Sequence, residues 1–597
     1  MVRSQSPPSE TRKRSRIACV RVVRPRRANK RDKVHELEDN VQLLRSIVER
    51  QQGNDRQYGS PRQPSTIGAS QRNNNTISDK RSQHVNSVLP ASNARRDLGS
   101  CQPFPELSSE ENRSIGDITL SREEIDGLFA IYSEQFHSYF PILDPEKKPT
   151  QYYDASKSLF WSIISVALRS YKQELLDDVG SVLSTLVWTE IGSPQKNLAG
   201  VVTSGIADIQ ALLLLATWPL SNIRLWSDRS LIMSNLAMTS AMYLGLHRPG
   251  FNFEYESNPL PLNEKSSNER STAWVACYCI CISLALESGH LPLAPTVDWL
   301  TNRVCRPRPE ICVPEELRYF VVIQKSPNEA FQALAQLNDN PALIGQDALF
   351  FARMAHYEKV LTDIDAMYGI EMSLLNRVRS QGSVLHLQLL YLLSNFDLEE
   401  TKQGILRAYR TSTTLIQNLI AEETINTFLA GAPFTVLRLL LRAAFTIAKV
   451  WFSNLGNHID RTSGKILYDA SALLVRQMSH LKTKSDKANR AGTVMNMIWK
   501  HMAKKPDLMR QPPSLRIRSR MGASLQYDCL MHYRDAAQEA AGQAETASLS
   551  DIGDKSNAAP MRPNYTDINH EQSSLPSYEA FLDTDLSWLD DLVNPLT

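Results

Sequence analysis

The sequence of 597 residues has few cysteines and no long apolar run. Its eight cysteines are irregularly spaced, so a reducing cell interior is a simpler interpretation than a disulfide framework. Residues 209–220 are too short to span a bilayer, and residues 428–452 are interrupted by three cations. The N-terminal residues lack the apolar segment of a secretory signal. We therefore expect no signal peptide and no membrane partner.

Motifs for catalysis are also missing. The sequence has no Gly-rich phosphate loop, no Gly-x-Ser-x-Gly and no His-Glu-x-x-His, since His35-Glu36 is followed by Leu-Glu-Asp. Cys277, Cys279 and Cys281 fall in an apolar helical pattern, which predicts small buried thiols rather than a metal or redox site. The sequence therefore does not predict an enzyme.

Charge is concentrated at the two ends of the chain, although the formal net charge is only +2. Residues 1–33 contain 12 basic and 2 acidic residues, whereas residues 563–597 contain 7 acidic residues and no Lys or Arg. This asymmetry predicts a nucleic-acid-binding head and an interaction tail around a near-neutral body.

Residues 117–535 read as a succession of helical patterns with almost no alternation of period two. Ser121-Arg-Glu-Glu124 is a capping-box pattern that predicts the start of a helix, and residues 347–367 show the clearest helical spacing. The sequence therefore predicts an all-α fold with one large, irregular helical domain. Further helices are predicted near 157–171, 204–218, 228–246, 268–288, 384–398, 402–424, 434–455, 465–482 and 487–503.

Two polar segments flank this domain. Residues 51–116 are dominated by Ser, Asn, Gln and Arg and cannot bury enough apolar area to offset their ordering entropy. They are predicted to be a disordered linker. Residues 536–577 are again small and polar and are predicted to be a second, flexible linker.

Residues 1–33 form the predicted DNA-binding segment. Eleven of the 22 residues from position 12 to position 33 are Lys or Arg, so they can neutralise several phosphates. A nuclear-localisation signal or a solvated basic tail is the alternative interpretation. The candidate DNA-contacting residues are Arg12, Lys13, Arg14, Arg16, Arg21, Arg24, Arg26, Arg27, Lys30, Arg31 and Lys33.

Residues 34–50 are predicted to be a short coiled-coil dimerisation helix, because their apolar residues alternate spacings of three and four. Two heptads are marginal alone in water, so DNA or the helical domain would have to support them. An ordinary amphipathic helix is the alternative, and Pro25 argues against a continuous basic leucine zipper. The predicted dimerisation residues are Val34, Leu37, Val41, Leu44 and Val48.

Residues 578–597 are predicted to be an acidic activation segment. Five acids alternate with aromatic and aliphatic residues between positions 578 and 593, a composition that keeps apolar groups exposed until a coactivator groove binds them. The alternative is a C-terminal helix that docks on the protein's own body. The predicted anchors are Phe581, Leu582, Leu586, Trp588, Leu589 and Leu592.

Together these features resemble the fungal zinc binuclear-cluster (Zn2Cys6) transcription factors. Residues 12–19 resemble the approach to the first cluster cysteine, and residues 31–44 resemble the linker and dimerisation helix of that family. The resemblance implies an all-α regulatory domain, promoter binding as a dimer and a nuclear location. Stretches that resemble the family's helical middle region are 136–143, 205–214, 241–248 and 270–274.

The cluster region departs from the family pattern. The resemblance implies six cysteines that hold two zinc ions, but this chain has only Cys19 before Cys101. Either an internal piece is missing from the sequence, or the chain is a degenerate member of the family. Cys19 is then a remnant ligand, and zinc is expected as a cofactor only if the true gene product carries the complete six-cysteine cluster.

The sequence therefore predicts a nuclear, DNA-binding regulator of RNA polymerase II genes. We expect it to bind promoter DNA as a dimer with itself or a related factor, to recruit coactivators, and to control a metabolic or secondary-metabolite gene set. The resemblance also implies a small-molecule effector. The first alternative is a cluster-less interaction protein that modulates other transcription factors without reading DNA sequence, and a second is an all-α enzyme of unknown chemistry.

Overall fold

The folded body begins with a short β-hairpin and continues as packed α-helices. The computed structural model describes residues 112–191, 202–220, 229–255, 263–306, 309, 311–335, 348–479 and 486–552. The hairpin pairs β1 (Arg113–Ile115) antiparallel with β2 (Ile118–Leu120), with Ser114 opposite Thr119. All other regular structure in these residues is helical. The predicted all-α class is confirmed.

The first half of the body contains eight α-helices within the described ranges, joined by short loops and 3₁₀ turns. In chain order they are α1 (Arg122–Gln135), α2 (Pro149–Ala155), α3 (Lys157–Ala167), α4 (Leu176–Glu190), α5 (Val202–Thr217), α6 (Ser230–Tyr243), α7 (Glu264–Ser288) and α8 (Trp299–Val304).

Eight longer helices form the second half of the described body. They are α9 (Glu315–Ala335), α10 (Ala348–Tyr368), α11 (Leu374–Gln388), α12 (Glu399–Asn426), α13 (Phe434–Trp451), α14 (Arg461–Gln477), α15 (Lys487–Ala503) and α16 (Ser524–Ile552). Helix α16 continues past residue 535, where the sequence places the end of the domain.

Polar side chains at the helix starts explain several of these boundaries. Ser121 accepts a hydrogen bond from the backbone N–H of Glu124, whose carboxylate accepts one from the backbone N–H of Ser121 at 2.8 Å. This is the capping box that the sequence indicates at α1. Asp460 and Asp486 cap α14 and α15 in the same general way, each accepting from two backbone N–H groups.

Helices α7 and α13 lie at the centre of the body. Successive helices pack on each other through most of the chain, and α13 also contacts α7, α11, α15 and α16. Helix α7 is the one described helix that is long and apolar enough to cross a bilayer, and 89% of that apolar window is buried inside the protein. Such a helix, apolar nearly all round, is typical of a protein core.

The structure differs from the predicted helices in several places. The sequence places a helix near 384–398, but α11 begins at Leu374, where Ser373 accepts a hydrogen bond from the backbone N–H of Asn376 at 3.1 Å. After Gln388 the chain tightens into a buried 3₁₀ turn over Leu389–Leu393. No helix is predicted over α4, α9 or α16, and α9 runs continuously through Pro327, although a proline ordinarily ends a helix.

Two glycines provide a matched test of this backbone. Gly127 lies on exposed α1 with open space around it, so Gly127→Ala should stabilise the fold by up to about 1 kcal/mol. Gly289 ends α7 with a φ of 76°, and a Cβ there would lie 2.5 Å from the Arg520 carbonyl oxygen. Gly289→Ala should therefore destabilise it by more than about 1 kcal/mol.

Urea unfolding of both variants, followed by helical circular dichroism, measures the two changes in free energy of unfolding. Shifts of the same sign would contradict the assigned roles of Gly127 and Gly289.

Candidate functional site

The residues that the sequence assigns to DNA binding, dimerisation and activation lie outside the described part of the chain. This applies to Cys19 and the cations between Arg12 and Lys33, to the apolar residues from Val34 to Val48, and to the anchors from Phe581 to Leu592. Their roles stay predictions. The candidate sites described below lie in the helical body.

In that body a cleft lies where α7, α9, α11 and α13 meet. It has about 60 Å³ of space for water-sized molecules, which by the usual volume of a water is room for a few waters or one carboxylate group. Its lining combines apolar side chains with an unusual number of buried polar ones. The polar residues that line the cleft are Ser283, Glu287, Gln324, Arg379, Ser383, His386, Thr435 and Arg442.

Arg442 of α13 is the most unusual of these groups. Its side chain is only 4% exposed, and its Nε and Nη2 make no hydrogen bond within the described residues. Burial lowers the pKa of this guanidinium to about 10, so it stays charged at neutral pH. The charge of Glu287 also acts on Arg442, but that carboxylate accepts its hydrogen bond from Arg438, and buried donors without a partner are costly in free energy. Arg442 therefore marks a place where an anion would be stabilised.

The neighbouring arginines already have partners. Arg438 donates to Glu287 at 2.9 Å, which joins α13 to α7. Arg379 donates to Glu316 at 2.7 Å, which joins α11 to α9. With Arg442, three guanidinium groups face two carboxylates, so one positive charge is left over among these five groups.

His386 of α11 lies beside Arg442. It is 3% exposed, neither of its ring nitrogens has a hydrogen-bond partner in the described residues, and its ring packs on Phe331 with centroids 4.9 Å apart. Burial, and then the charge of Arg442, hold the pKa of His386 well below its usual value. The imidazole is therefore neutral and offers one N–H donor to a ligand in the cleft.

The arrangement suits a small anion. Arg442 supplies the charge and two donors, His386 supplies a third donor, and apolar residues such as Phe320 and Leu439 line the cleft beside them. Charge-assisted hydrogen bonds in such a site are shorter and stronger than neutral ones.

The sequence carries a signal for this site. Arg438, Arg442 and Lys449 interrupt the apolar run at spacings of four and seven, which places all three on one face of a helix. Three cations on one face of an otherwise largely apolar helix indicate a buried site for negative charge.

The cysteines of α7 agree with the prediction of small buried thiols. Cys277, Cys279 and Cys281 are all fully buried, and Cys281 lies 3.4 Å from Oδ1 of Asn235. Burial raises the pKa of each thiol, which keeps it protonated and unreactive.

Comparison with known proteins relates this body to transcription regulators. Residues 129–302, from within α1 to within α8, match the profile of the fungal specific transcription factor domain. This region supplies the α7 side of the cleft, and the remaining walls come from later helices.

Two curated relatives extend the similarity. The regulatory protein LEU3 of Saccharomyces cerevisiae is 25% identical over 493 residues, which are 73% of this chain and 54% of the relative. The transcriptional regulatory protein SEF1 of Candida albicans is 26% identical over 230 residues, 38% of this chain and 23% of the relative. The chain spans about half the length of the first relative and less of the second.

The matched domain lies in the described helical body, and both relatives are transcription regulators by name. The chain therefore carries a region that matches the fungal specific transcription factor domain, and it is similar to curated transcription regulators over much of its length.

Proposed function

We propose that the protein is a nuclear transcription regulator, not an enzyme, that binds promoter DNA of RNA polymerase II genes as a dimer. The observation that carries this proposal is the match of residues 129–302 to the fungal specific transcription factor domain. Residues 1–33 contact DNA, residues 34–50 dimerise and residues 578–597 recruit coactivator. Control of a metabolic or secondary-metabolite gene set follows from the family resemblance.

The charge of the two ends supports this division of roles. The net charge of +10 over residues 1–33, from 12 basic and 2 acidic residues, favours contact with phosphates. The seven acids after residue 562 instead repel DNA and keep the tail available to a protein partner.

A second candidate function is an interaction protein that modulates other transcription factors without reading DNA sequence. The observation that favours it is the single cysteine, Cys19, in the first 100 residues. One thiolate cannot hold two zinc ions, each of which needs four ligands. In that case the residues between Val34 and Val48 would pair with a related factor, and the basic head would bind DNA only through phosphates.

We also propose that the helical body binds a small anionic effector in the cleft. The unpartnered nitrogens of Arg442 and the neutral imidazole of His386 support this role. Because the cleft lies between four helices, a ligand there would change how α13 packs against α7, α9 and α11. That coupling is how an effector would act on the regulator.

DNA binding is tested with the full-length protein by fluorescence anisotropy on labelled duplex DNA at several salt concentrations. Replacing Arg12, Lys13 and Arg14 with Gln should weaken binding and reduce the slope of log affinity against log salt by up to about 2.7, the value for three lost phosphate contacts. The matched control replaces the exposed cations Lys359, Arg410 and Lys504 with Gln and should leave the slope unchanged. Equal slopes for both triple variants would show that residues 1–33 are not the DNA-binding segment.

The same assay separates the two candidate functions. A preference of about a thousandfold for one duplex from a promoter pool over scrambled competitor is the order expected of a sequence-specific regulator. Steep salt dependence without any preference would reject promoter reading by this chain and favour the modulator.

The effector site is tested by thermal unfolding of the full-length protein with acetate, succinate, citrate, phosphate or sulfate at ionic strength matched with chloride. At least one of these anions should raise the Tm of the wild type, because a ligand stabilises the state that binds it. The variant Arg442→Met should lower the affinity for that anion by at least about tenfold, which is the effect expected from one lost charged hydrogen bond. Arg410→Met, at an exposed position of α12, is the matched control.

Without ligand, Arg442→Met should be at least as stable as the wild type, because it removes a buried charge whose acidic neighbour, Glu287, is already hydrogen-bonded to Arg438. A large loss of stability, or an anion effect that survives in Arg442→Met, would contradict the assigned role of Arg442.

A further inference from the structure

Two buried histidines face each other where α15 packs on α16. His501 of α15 is 2% exposed and His532 of α16 is 7% exposed, with ring centroids 5.8 Å apart. Neither Nε2 of His501 nor Nδ1 of His532 has a hydrogen-bond partner in the described residues. Buried polar groups are nearly always hydrogen-bonded, and each exception costs about 1–3 kcal/mol. Two adjacent exceptions require an explanation.

A carboxylate completes the cluster. Asp535 lies three residues after His532, and one ligand atom each from His501, His532 and Asp535 lie within 4.8 Å of one another. Because side chains three and four residues apart share a helix face, Glu539 extends the row on α16. Its Oε2 lies 3.3 Å from Nδ1 of His501.

We propose that His501, His532 and Asp535 bind a zinc ion that fastens α16 to α15, with Glu539 or a water as the fourth ligand. Two imidazoles and a carboxylate are a ligand set that zinc accepts in tetrahedral geometry. Zinc bonds of about 2.0 to 2.2 Å put tetrahedral ligand atoms about 3.4 Å apart, so small side-chain rotations bring the three groups into place.

The surroundings favour the ligating form of both histidines. Burial, followed by nearby cations, lowers the pKa of His501 and lowers that of His532 to about 4. The cations that face the cluster are Lys505, Lys449 and Arg516, and the further acid is Asp528, whose Oδ2 lies 4.0 Å from Nε2 of His532. Neutral imidazole is the form that binds a metal.

Arg516 hydrogen-bonds one oxygen of Asp535 and does not prevent the other from binding zinc. Its Nη1 donates to Oδ2 of Asp535 at 2.7 Å, and a carboxylate that accepts a hydrogen bond on one oxygen can still bind a metal through the other. Such outer hydrogen bonds orient metal ligands and raise affinity. The neighbouring carboxylate of Asp528 accepts a hydrogen bond from Lys449 at 2.7 Å and is not among the proposed zinc ligands.

The proposed zinc site shares no residue with the DNA-binding segment or the anion cleft, so a negative result for one proposal does not affect the other two. The experiment uses full-length protein with Cys19→Ser, which removes the remnant cluster cysteine, after dialysis against EDTA. Zinc chloride is added in competition with a chromophoric chelator, and Tm is recorded with and without the metal.

One zinc equivalent should bind and raise Tm. The double variant His501→Gln, His532→Gln should neither bind that zinc equivalent nor show the rise in Tm. The matched control His356→Gln, His458→Gln, at two exposed positions, should bind zinc and show the same rise in Tm as the wild type. The variant Asp535→Asn, at a partly exposed position, should fold normally and lower the affinity for zinc by more than about a hundredfold.

Cobalt chloride provides a second readout, because Co²⁺ in a tetrahedral site absorbs visible light and this absorption should disappear in the double variant. Zinc binding that is equal in the wild type and the double variant would overturn the proposal. So would the absence of any zinc equivalent in a wild type that is folded by circular dichroism.

Discussion

The helical body depends on how the buried cations of α13 are neutralised. Arg438, Arg442 and Lys449 lie on one side of a helix that is otherwise apolar, and removing such charges from water is costly unless an opposite charge meets them. Glu287 of α7 meets Arg438, and Asp528 of α16 meets Lys449. These two ion pairs join α7 and α16 to α13 in the interior of the body.

The anion cleft follows from the same row of cations. Arg442 lies one turn from Arg438 on α13, yet the described body gives its Nε and Nη2 no hydrogen-bond partner. The matched domain, residues 129–302, contributes Glu287 and the rest of the α7 wall. Helices α9, α11 and α13 come from the chain beyond it. The cleft is therefore built from both the family domain and the following region, and its polar lining can differ between proteins that share the domain.

Local signals made much of the fold predictable. The capping box at Ser121 and the spacing over residues 347–367 depend only on nearby residues, and the structure has helices at both places. Helix α9 has no such local signal: a proline ordinarily ends a helix, and packing in the core, rather than local preference, keeps α9 continuous through Pro327.

The two candidate sites in the body, unlike the helix starts, cannot be predicted from local sequence signals alone. A sequence shows that Arg442 interrupts an apolar run, but whether an acid meets it depends on how α7, α9 and α11 pack. His501 and His532 are separated by a loop and belong to two helices, so no spacing rule brings them together. Sites that depend on contacts between distant helices need the folded arrangement before they can be recognised.

The ion pairs of α13 also determine which shortened proteins can fold. A chain that ends with the matched region at residue 302 keeps Glu287 but loses its partner Arg438, and it leaves the apolar surface of α7 uncovered. One that ends before Ser524 keeps Lys449 without Asp528. Uncovered apolar surface of that size promotes aggregation. A shortened chain that folds on its own therefore has to extend through α13 into α16, well beyond residue 302.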